Sequence, residues 1–530
     1  MNTIFQKAGI VAAIAATILL PSCSDDDATT PKDETAPDIT LSSSATSTTV
    51  WNTVKLTATA TDDQGIEKIE IKIDGTSAGT ATTSPYELSW DTQKIGDGSH
   101  TATAIVTDKS GNEKSVELKV TVQNTLFEAK VDTDMLGKNE EGYQARGFIF
   151  LSDNDGKVIV AQEFKNGDAI ALKVPGFEGT EFSVTEAITD DSDTDIALIT
   201  STHVNRGKWV LNSETEDDDE PVVSVGDANL TFTNRDANAD YMLTSNYHAT
   251  SSIQLDNTAA IGLYKSPSLL YVVSIDKTSG EQKAYVYPSI ATGVNAPLDL
   301  ALVTKPIIEE NIQLSPELPE AYLSIYGMRA GATDGSERIN VDFASADSKG
   351  KMTISHPGDA FPAYYSITEL FGPEYTAYIS SHKVYDVTPL AAKLDASLAN
   401  GKLTIAASGT MDYYHVDLDG DTRWVFVADK SVTSIVIPEV PSILKDYVAT
   451  DMSDAYISIS AEDYAPIDSY SSLLNFVRAS ENGYNDLPWG NNNEVKTLYK
   501  DIDNSGGRKG SRTKREYYLL GSSKPHTRRK

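Results

Sequence analysis

The sequence predicts an all-β protein made of antiparallel β-sandwich domains in tandem, with a few short helices near the C-terminus. Two observations carry this prediction. Apolar and polar residues alternate through most of the chain after residue 36, with the period of a half-buried strand. Between these runs lie clusters of Gly, Asn and Asp, such as Asp74-Gly75 and Gly96-Asp97-Gly98, which are typical of the turns that join antiparallel strands.

The first 22 residues have the pattern of a secretion signal. Lys7 gives a positive start, and the apolar run over 8–20 is shorter than the roughly 20 residues that a membrane-spanning helix needs. Leu20-Pro21-Ser22-Cys23 resembles a bacterial lipobox, whose cysteine receives diacylglycerol and, after cleavage, an N-terminal acyl chain such as palmitate. The resemblance implies that Cys23 is the lipid attachment site, since two or more acyl chains give stable anchoring. The alternative is a free cysteine in an ordinary signal peptide.

Residues 24–27, one serine and three aspartates, follow Cys23 directly. This stretch resembles the surface-export signal of Bacteroidota lipoproteins, which implies a lipid-anchored protein of the outer membrane that is exposed at the cell surface. The alternative is that residues 24–32 are a solvated linker, because Asp, Thr and Pro cannot build a core.

Residues 36–123 carry several motifs that belong to one type of domain. The motifs are Ala60-Thr61-Asp62-Asp63 before Gly65-Ile66, Ser84-Pro85-Tyr86 before Trp90-Asp91, Asp97-Gly98-Ser99-His100, and Val106-Thr107-Asp108 before Gly111-Asn112. Together they resemble the bacterial Ig-like domain. The resemblance implies a seven-strand sandwich that serves as a spacer or adhesive module, with Trp90 buried between its sheets. It implies no catalytic activity.

Past Asn124 the strand pattern continues without a family that we recognise. Two segments, 388–398 and 471–478, look helical because each places apolar residues on one face. The acidic run over 214–220, closed by Pro221, predicts a solvated boundary. The predicted segments are 1–22, a signal peptide; 23–35, an acidic linker with the lipidated Cys23; 36–123, the bacterial Ig-like domain; 124–221, a β-sandwich; 222–345, a β-rich domain; 346–507, a β-rich domain with short helices; and 508–530, a basic, disordered tail.

Charge and cysteine content exclude several classes of function. The 44 basic and 77 acidic residues give a net charge of −33, so nucleic acid is not an expected partner. Cys23 is the only cysteine, which excludes disulfides, zinc–thiolate sites and a cysteine nucleophile. The seven histidines never pair at i, i+4, so no helical zinc site is predicted. The tail over 508–530 is basic, whereas the rest of the chain is acidic. Such a charge run favours a disordered tail; the alternative is that the tail contacts anionic lipid or an acidic face of the protein.

Oxygen-rich turns are candidate calcium sites, among them the turn with Asp62 and Asp63 and a second turn further along the chain. Asp417, Asp419 and Asp421 follow one another at every second position before Trp424. Carboxylates are the ligands that Ca²⁺ prefers, although an Asp/Gly hairpin turn is the commoner meaning of this pattern. No other metal or cofactor is expected.

The loop over 484–493 is a candidate ligand site because it places two aromatic residues among amides and a carboxylate. The candidate contacts are Tyr484, Asn485, Asp486, Trp489 and Asn491. Aromatic faces stack on the apolar faces of sugars, while amides and carboxylates bind hydroxyl groups. Two interpretations stay open: contact with a glycan or peptide, and a loop whose Trp489 packs into a domain interface. Of the 25 tyrosines, 23 follow residue 240, so a tyrosine-rich binding surface would belong to this half of the chain.

These features predict a non-catalytic lipoprotein whose Ig-like spacer presents C-terminal β domains to an extracellular glycan or protein, for binding or adhesion. Two alternatives stay open. An extracellular glycosidase or peptidase can hide its paired carboxylates among so many acidic residues without any local motif. A structural component of the envelope, or the lipoprotein partner of an uptake channel, would share the same anchor. No catalytic residue is predicted.

Overall fold

The structure is a computed structural model that describes residues 32–502, with gaps at 138–141, 143, 190–195, 212–223, 247–249, 254–256, 333–336, 450 and 480–492. Cys23, residues 484–492 of the predicted ligand loop and the basic tail therefore lie outside the described residues. The described residues form two compact units, one that ends at Asn124 and one that begins at Thr125. Strands dominate both units, which confirms the all-β prediction. Among the described residues, no helix has the length and apolar character of a membrane span.

The first unit is a sandwich of two sheets. Its strands are β1 (Asp38–Ser43), β2 (Thr49–Val50), β3 (Thr53–Thr61), β4 (Ile66–Ile73), β5 (Thr76–Ala81), β6 (Tyr86–Asp91), β7 (Gly98–Asp108) and β8 (Glu113–Val122). One sheet has the order β1-β3-β6 and the other β2-β8-β7-β4-β5. The sandwich has one strand more than the resemblance implied, because the short β2 pairs in parallel with β8.

The alternating pattern of the sequence builds the core of this first unit. Val54, Leu56 and Ala58 on β3 are buried, whereas the residues between them are not. Trp90 on β6 is only 7% exposed and lies in the same cluster, as predicted. Burial of so large a side chain contributes a few kcal/mol to folding, so Trp90 is a structural residue of this unit.

The strands of the second unit begin with β9 (Thr125–Val131), β10 (Gly147–Ser152), β11 (Val158–Phe164), β12 (Ala169–Lys173), β13 (Phe182–Thr189), β14 (Ile196–Val204), β15 (Gly207–Leu211), β16 (Gly226–Thr233), β17 (Ala239–Thr244), β18 (Thr250–Ile253), β19 (Thr258–Leu263), β20 (Ser268–Asp276), β21 (Gln282–Ile290), β22 (Asn295–Asp299) and β23 (Lys305–Pro306). They continue with β24 (Ile308–Gln313), β25 (Glu320–Met328), β26 (Ile339–Ser345), β27 (Lys351–His356), β28 (Ala363–Phe371), β29 (Tyr375–Ser381), β30 (Ala392–Ala399), β31 (Lys402–Gly409), β32 (Tyr413–Asp419), β33 (Arg423–Asp429), β34 (Ser434–Val436), β35 (Tyr456–Tyr464) and β36 (Val495–Ile502). One α-helix, α1 (Tyr470–Ala479), precedes β36.

A 12-stranded sheet organises the second unit. Its order is β11-β10-β13-β14-β33-β32-β35-β36-β29-β28-β25-β26. The predicted segments 124–221, 222–345 and 346–507 all contribute strands to it, and β14 joins β33 in parallel. The acidic run behind one predicted boundary lies outside the described residues. A composition change of this kind predicts where strands are interrupted and not which strands pair. The sheet therefore connects segments that the sequence separates.

Smaller sheets cover the two faces of the large sheet. The sheet β12-β9-β15 and helix α1 pack on one face at the β10–β14–β33 end, while β24-β27 and β30-β31-β34 pack on the opposite face. The sheets β19-β16-β22 and β18-β17-β20-β21-β23 enclose a core of their own. Strand β10 is buried at every position because both of its faces are covered.

The two helix predictions have opposite outcomes. The helix over 471–478 is confirmed by α1, whose Leu473 and Leu474 pack into the core. The helix over 388–398 is wrong, because residues from Ala392 onward form strand β30. Leu394 and Leu398 are four residues apart and therefore share a face of a strand as well as of a helix. The alternation of buried Leu394 and Ala396 with exposed neighbours is the strand pattern.

A buried carboxylate ties the β29–β30 connection to β36. Asp386 is 5% exposed, accepts a hydrogen bond from the Thr388 amide at 2.9 Å, and lies 2.9 Å from Lys383 Nζ and 3.2 Å from Lys496 Nζ. Burial opposes ionisation, but these hydrogen bonds and charges outweigh it and lower the pKa of Asp386 from 3.8 to about 2.

Asp386→Asn should lower the free energy of unfolding by about 2 kcal/mol at pH 7, since the folded state gains that much from the low pKa. A group whose folded pKa is lowered stabilises above its unfolded pKa, and this contribution is lost as the pH falls from about 4 to about 2. Urea unfolding at pH 7, 4 and 2 measures the difference between variant and wild type. A difference that stays constant down to pH 2 contradicts an ionised Asp386.

Candidate ligand-binding face

One face of the large sheet turns outward over its β29-β28-β25-β26 end. Ala321, Leu323 and Ile325 on β25 are buried in the main core. The residues between them point to the opposite side, because successive side chains of a strand alternate. Strands β28 and β29 show the same alternation, with Leu370 and Ala377 in the core. The outward positions of neighbouring strands therefore form one surface.

The strand register brings aromatic and polar side chains together on this surface. Tyr322 lies opposite Ser345 on β26 and opposite Glu369 on β28, and Glu369 lies opposite Tyr378 on β29. In the adjacent row, Phe371 lies opposite Thr376. Side chains opposite one another across strands are close enough to act on one ligand.

Three aromatic rings form an exposed cluster at the β25–β26 edge. Tyr322 is 50% exposed and Phe343 is 61% exposed. Their ring centroids are 6.2 Å apart with the ring planes at 18°, and Phe371 meets Tyr322 edge-on at 5.9 Å. We call Tyr322, Phe343 and Phe371, with the outward Glu369, Ser324 and Thr376 beside them, the aromatic face. Adjacent exposed aromatic rings on strands are a feature of interaction surfaces.

A second group of aromatic residues, which includes the buried Tyr365, lies next to the aromatic face toward the centre of the sheet. The Arg338 guanidinium carbon lies 4.1 Å from the centroid of the Tyr365 ring and 5.6 Å from that of Tyr326. Burial raises the pKa of Tyr378, so its phenol stays protonated and can donate a hydrogen bond. Cation–π contacts of this kind fix the rings in place. The side chains next to the aromatic face are therefore held in fixed positions.

The five predicted loop contacts lie outside the described residues, so their role stays a prediction. Asn493, the last residue of that loop, is described. Its carbonyl oxygen accepts a hydrogen bond from Ser380 Oγ at 2.6 Å. Ser380 lies on β29 at an outward position, opposite Ile367. The end of the predicted ligand loop thus lies beside the same outward surface.

Among the described residues, Asp417, Asp419 and Asp421 do not form a cluster of three carboxylates whose oxygens lie within 4.8 Å of one another. Asp417 is held by Arg423, whose Nη2 lies 2.8 Å and Nε 3.2 Å from Asp417 Oδ2. Asp419 ends strand β32 and is exposed, and Asp421 lies in the turn that follows. Because a guanidinium already neutralises Asp417, this carboxylate is poorly placed to bind a cation.

Among the described residues, the carboxylates that do come together are those of Asp33, Asp62 and Asp63 in the first unit, whose oxygens lie within 4.8 Å of one another. Asp33 Oδ1 accepts a hydrogen bond from the Thr35 amide, and Asp33 Oδ2 is buried without a hydrogen-bond partner among the described residues. Carboxylate oxygens suit Ca²⁺. Asp62 and Asp63 are recognisable in the sequence as an acidic turn, whereas Asp33 joins them only through the fold.

Tyr322, Phe343 and Phe371 were not among the residues that the sequence pattern singled out. The pattern drew attention to aromatics in a loop, because tyrosines in strands are common. A usable signal existed: Tyr322 and Phe343 stand at positions that alternate with clear core residues such as Leu323 and Ala344. A large aromatic residue on the polar side of an alternating strand is a candidate contact residue. The sequence does not show that β26, β25 and β28 lie side by side, and this pairing is what brings the three rings together.

Comparison with known proteins identifies part of the first unit. Residues 37–104 match the bacterial Ig domain. This match confirms the predicted Ig-like domain and agrees with the observed sandwich around Trp90. No curated protein matches the chain.

Solved structures similar to the chain include fibronectin(III)-like modules of Clostridium thermocellum CbhA, at 26% identity over 16% of this chain and 97% of that one, with a TM-score of 0.14. A tetra-tandem repeat from the extending region of a large adhesion protein has 14% identity over 67% and 100%, with a TM-score of 0.16. The SGBP-B protein of the Bacteroides ovatus mixed-linkage glucan utilization locus, in complex with a mixed-linkage heptasaccharide, has 13% identity over 62% and 93%, with a TM-score of 0.15.

Proposed function

We propose that this protein is a lipid-anchored, surface-exposed protein of the outer membrane that binds an extracellular glycan without cleaving it. The observation that carries the proposal is the aromatic face, on which Tyr322 and Phe343 are 50% and 61% exposed and adjacent. A soluble protein rarely leaves two neighbouring aromatic rings in water unless they meet a partner.

The chemistry of the aromatic face suits a sugar chain. Sugar rings have apolar C–H faces that stack on aromatic rings, and hydroxyl groups at their rims that need donors and acceptors. Glu369, half-buried beside Tyr322, supplies an acceptor, and Ser324 and Thr376 supply hydroxyl groups. Because all of these side chains stand on paired strands, the surface is preorganised for binding.

The Ig domain supports the same proposal by its place in the chain. It lies between the predicted lipid attachment at Cys23 and the unit that carries the aromatic face. A folded sandwich of this kind is a spacer that holds a binding unit away from a membrane. The lipid on Cys23 is the part of the proposal that depends on the sequence pattern alone, and mass spectrometry of the membrane-extracted protein tests it.

The double variant Tyr322→Ala, Phe343→Ala tests the binding face. We expect it to weaken glycan binding about 10- to 100-fold with the fold intact, which corresponds to a loss of about 1.4–2.8 kcal/mol for the two rings together. A glycan array identifies the ligand with the wild type, and titration calorimetry then measures the affinity of both proteins for it.

Trp51→Ala is the matched control, because Trp51 is 40% exposed in the first unit, outside the aromatic face. Its binding should equal that of the wild type. Unchanged binding by the double variant would contradict the proposal. Release of shorter oligosaccharides from a bound glycan would instead favour the glycosidase alternative.

A further inference from the structure

A polar cleft lies toward the other end of the large sheet, where five strands separate β33 from β25 in the sheet order. It holds about 560 Å³, a volume within the range of small-molecule sites. Four parts of the second unit form its walls: the end of β14, the turn between β33 and β34, helix α1, and Glu181, which lies directly before β13. Neither the Ig domain nor the aromatic face contributes to it.

The cleft has an ordered frame. His203 Nδ1 lies 2.8 Å from Glu181 Oε2, which fixes both side chains on one wall. Arg478 Nη2 donates a hydrogen bond to the carbonyl oxygen of Asn205 at 2.7 Å and so attaches α1 to the end of β14. On the floor, Leu474 is 5% exposed. These contacts hold the lining groups in place without a ligand.

Several polar groups in the cleft keep unused hydrogen-bonding capacity. Asp429 Oδ1 accepts a hydrogen bond from the Ser431 amide at 2.8 Å, and its Oδ2 has no hydrogen-bond partner among the described residues. The side-chain amide of Asn475, which is exposed on α1, and the hydroxyl groups of Thr433 and Ser471 also have no hydrogen-bond partner among the described residues. A ligand that carries both donors and acceptors would satisfy them.

The charges of the lining favour a neutral ligand. Glu181 and Asp429 would repel an anion, and the guanidinium of Arg478 would repel a cation. Most of the remaining lining groups are amides and hydroxyls, and Leu474 with Val432 gives a small apolar floor. Sugar hydroxyls donate to carboxylates and accept from amides, while the C–H face of a sugar ring covers apolar side chains.

We propose that this cleft is a second binding site, for a neutral saccharide of one or two rings. The site is independent of the aromatic face and does not rest on the function proposed for it. Asp429 accepts hydrogen bonds from the sugar hydroxyls, and the side-chain amide of Asn475 contacts the sugar from the α1 side of the cleft.

The test is saturation-transfer NMR of the purified full chain with neutral mono- and disaccharides, followed by titration calorimetry with any that bind. Glucosamine and a zwitterionic dipeptide are the charged counter-probes. Asp429→Asn keeps the acceptor for the Ser431 amide but removes the charge, and should weaken binding about tenfold. Asn475→Trp places a large side chain at the cleft wall and should abolish binding.

Two control variants distinguish binding in the cleft from binding elsewhere on the chain. Asp454→Asn makes the same chemical change at an exposed position outside the cleft and should bind as the wild type does. Tyr322→Ala, Phe343→Ala should also leave binding of the small saccharide unchanged. The proposal is overturned if no neutral saccharide binds, if only the charged probes bind, or if binding survives both cleft variants.

Discussion

Glu186→Gln should raise the free energy of unfolding by about 3 kcal/mol at pH 7 and leave it nearly unchanged at pH 4. Glu186 stands on β13 between Ile149 of β10 and Ile199 of β14, and it is only 3% exposed. Its Oε1 has no hydrogen-bond partner among the described residues. Burial in these apolar surroundings raises the pKa of Glu186 from 4.5 to about 8.

The sign of the pH dependence follows from the two pKa values. Above pH 4.5 the unfolded chain releases the proton of Glu186, whereas the folded chain keeps it until about pH 8. Folding therefore takes up a proton in this window, and the stability of the wild type falls by about 1.4 kcal/mol for each pH unit. Glutamine has no proton to release, so the variant avoids this loss.

Guanidinium unfolding at pH 4, 5, 6, 7 and 8 measures the difference between Glu186→Gln and the wild type. The difference should grow steadily over this range. Glu178→Gln is the matched control, because Glu178 is exposed and the same change there should have no effect at any pH. A difference that does not depend on pH would mean that Glu186 is ionised in the folded protein.

Local pattern predicted the local structure of this chain well. The period-2 alternation identified the strands around Trp90 and the core positions of β3, because one face of each strand is buried and the other is solvated. It failed at Leu394, where a four-residue spacing fitted a helix and a strand equally. Only the pairing of β30 with β31 decides between them.

Long-range pairing could not be predicted, and both candidate sites depend on it. The aromatic face exists because β25 pairs with β26 and β28, and the polar cleft exists because β14 pairs with β33, more than 200 residues later in the chain. A strand pattern states which face of a strand is apolar and not which strand lies beside it. The burial of Glu186 could not be predicted for the same reason, since an acidic residue in a strand usually points outward.

Trp424→Ala should lower the free energy of unfolding of the second unit by about 3–5 kcal/mol, the usual loss for a large buried aromatic side chain. Trp424 on β33 is 1% exposed, stacks on Phe426 at 5.5 Å, and meets Phe150 of β10 edge-on at 6.5 Å. Its Nε1 donates a hydrogen bond to Thr200 Oγ1 on β14 at 2.7 Å. One side chain thus joins strands that are far apart in the sequence.

Because Trp424 lies where β14 meets β33, its loss should destabilise residues 125–211 and 346–502 together. Limited proteolysis along a urea gradient, with the fragments identified by mass, follows both segments in the same sample. Peptides from both should appear at the same, lower urea concentration in the variant. Trp90→Ala is the matched control, since its core belongs to the first unit alone and only that unit should lose protection. If residues 125–211 stay protected while 346–502 unfold, the two segments are separate domains and the large sheet is not one cooperative structure.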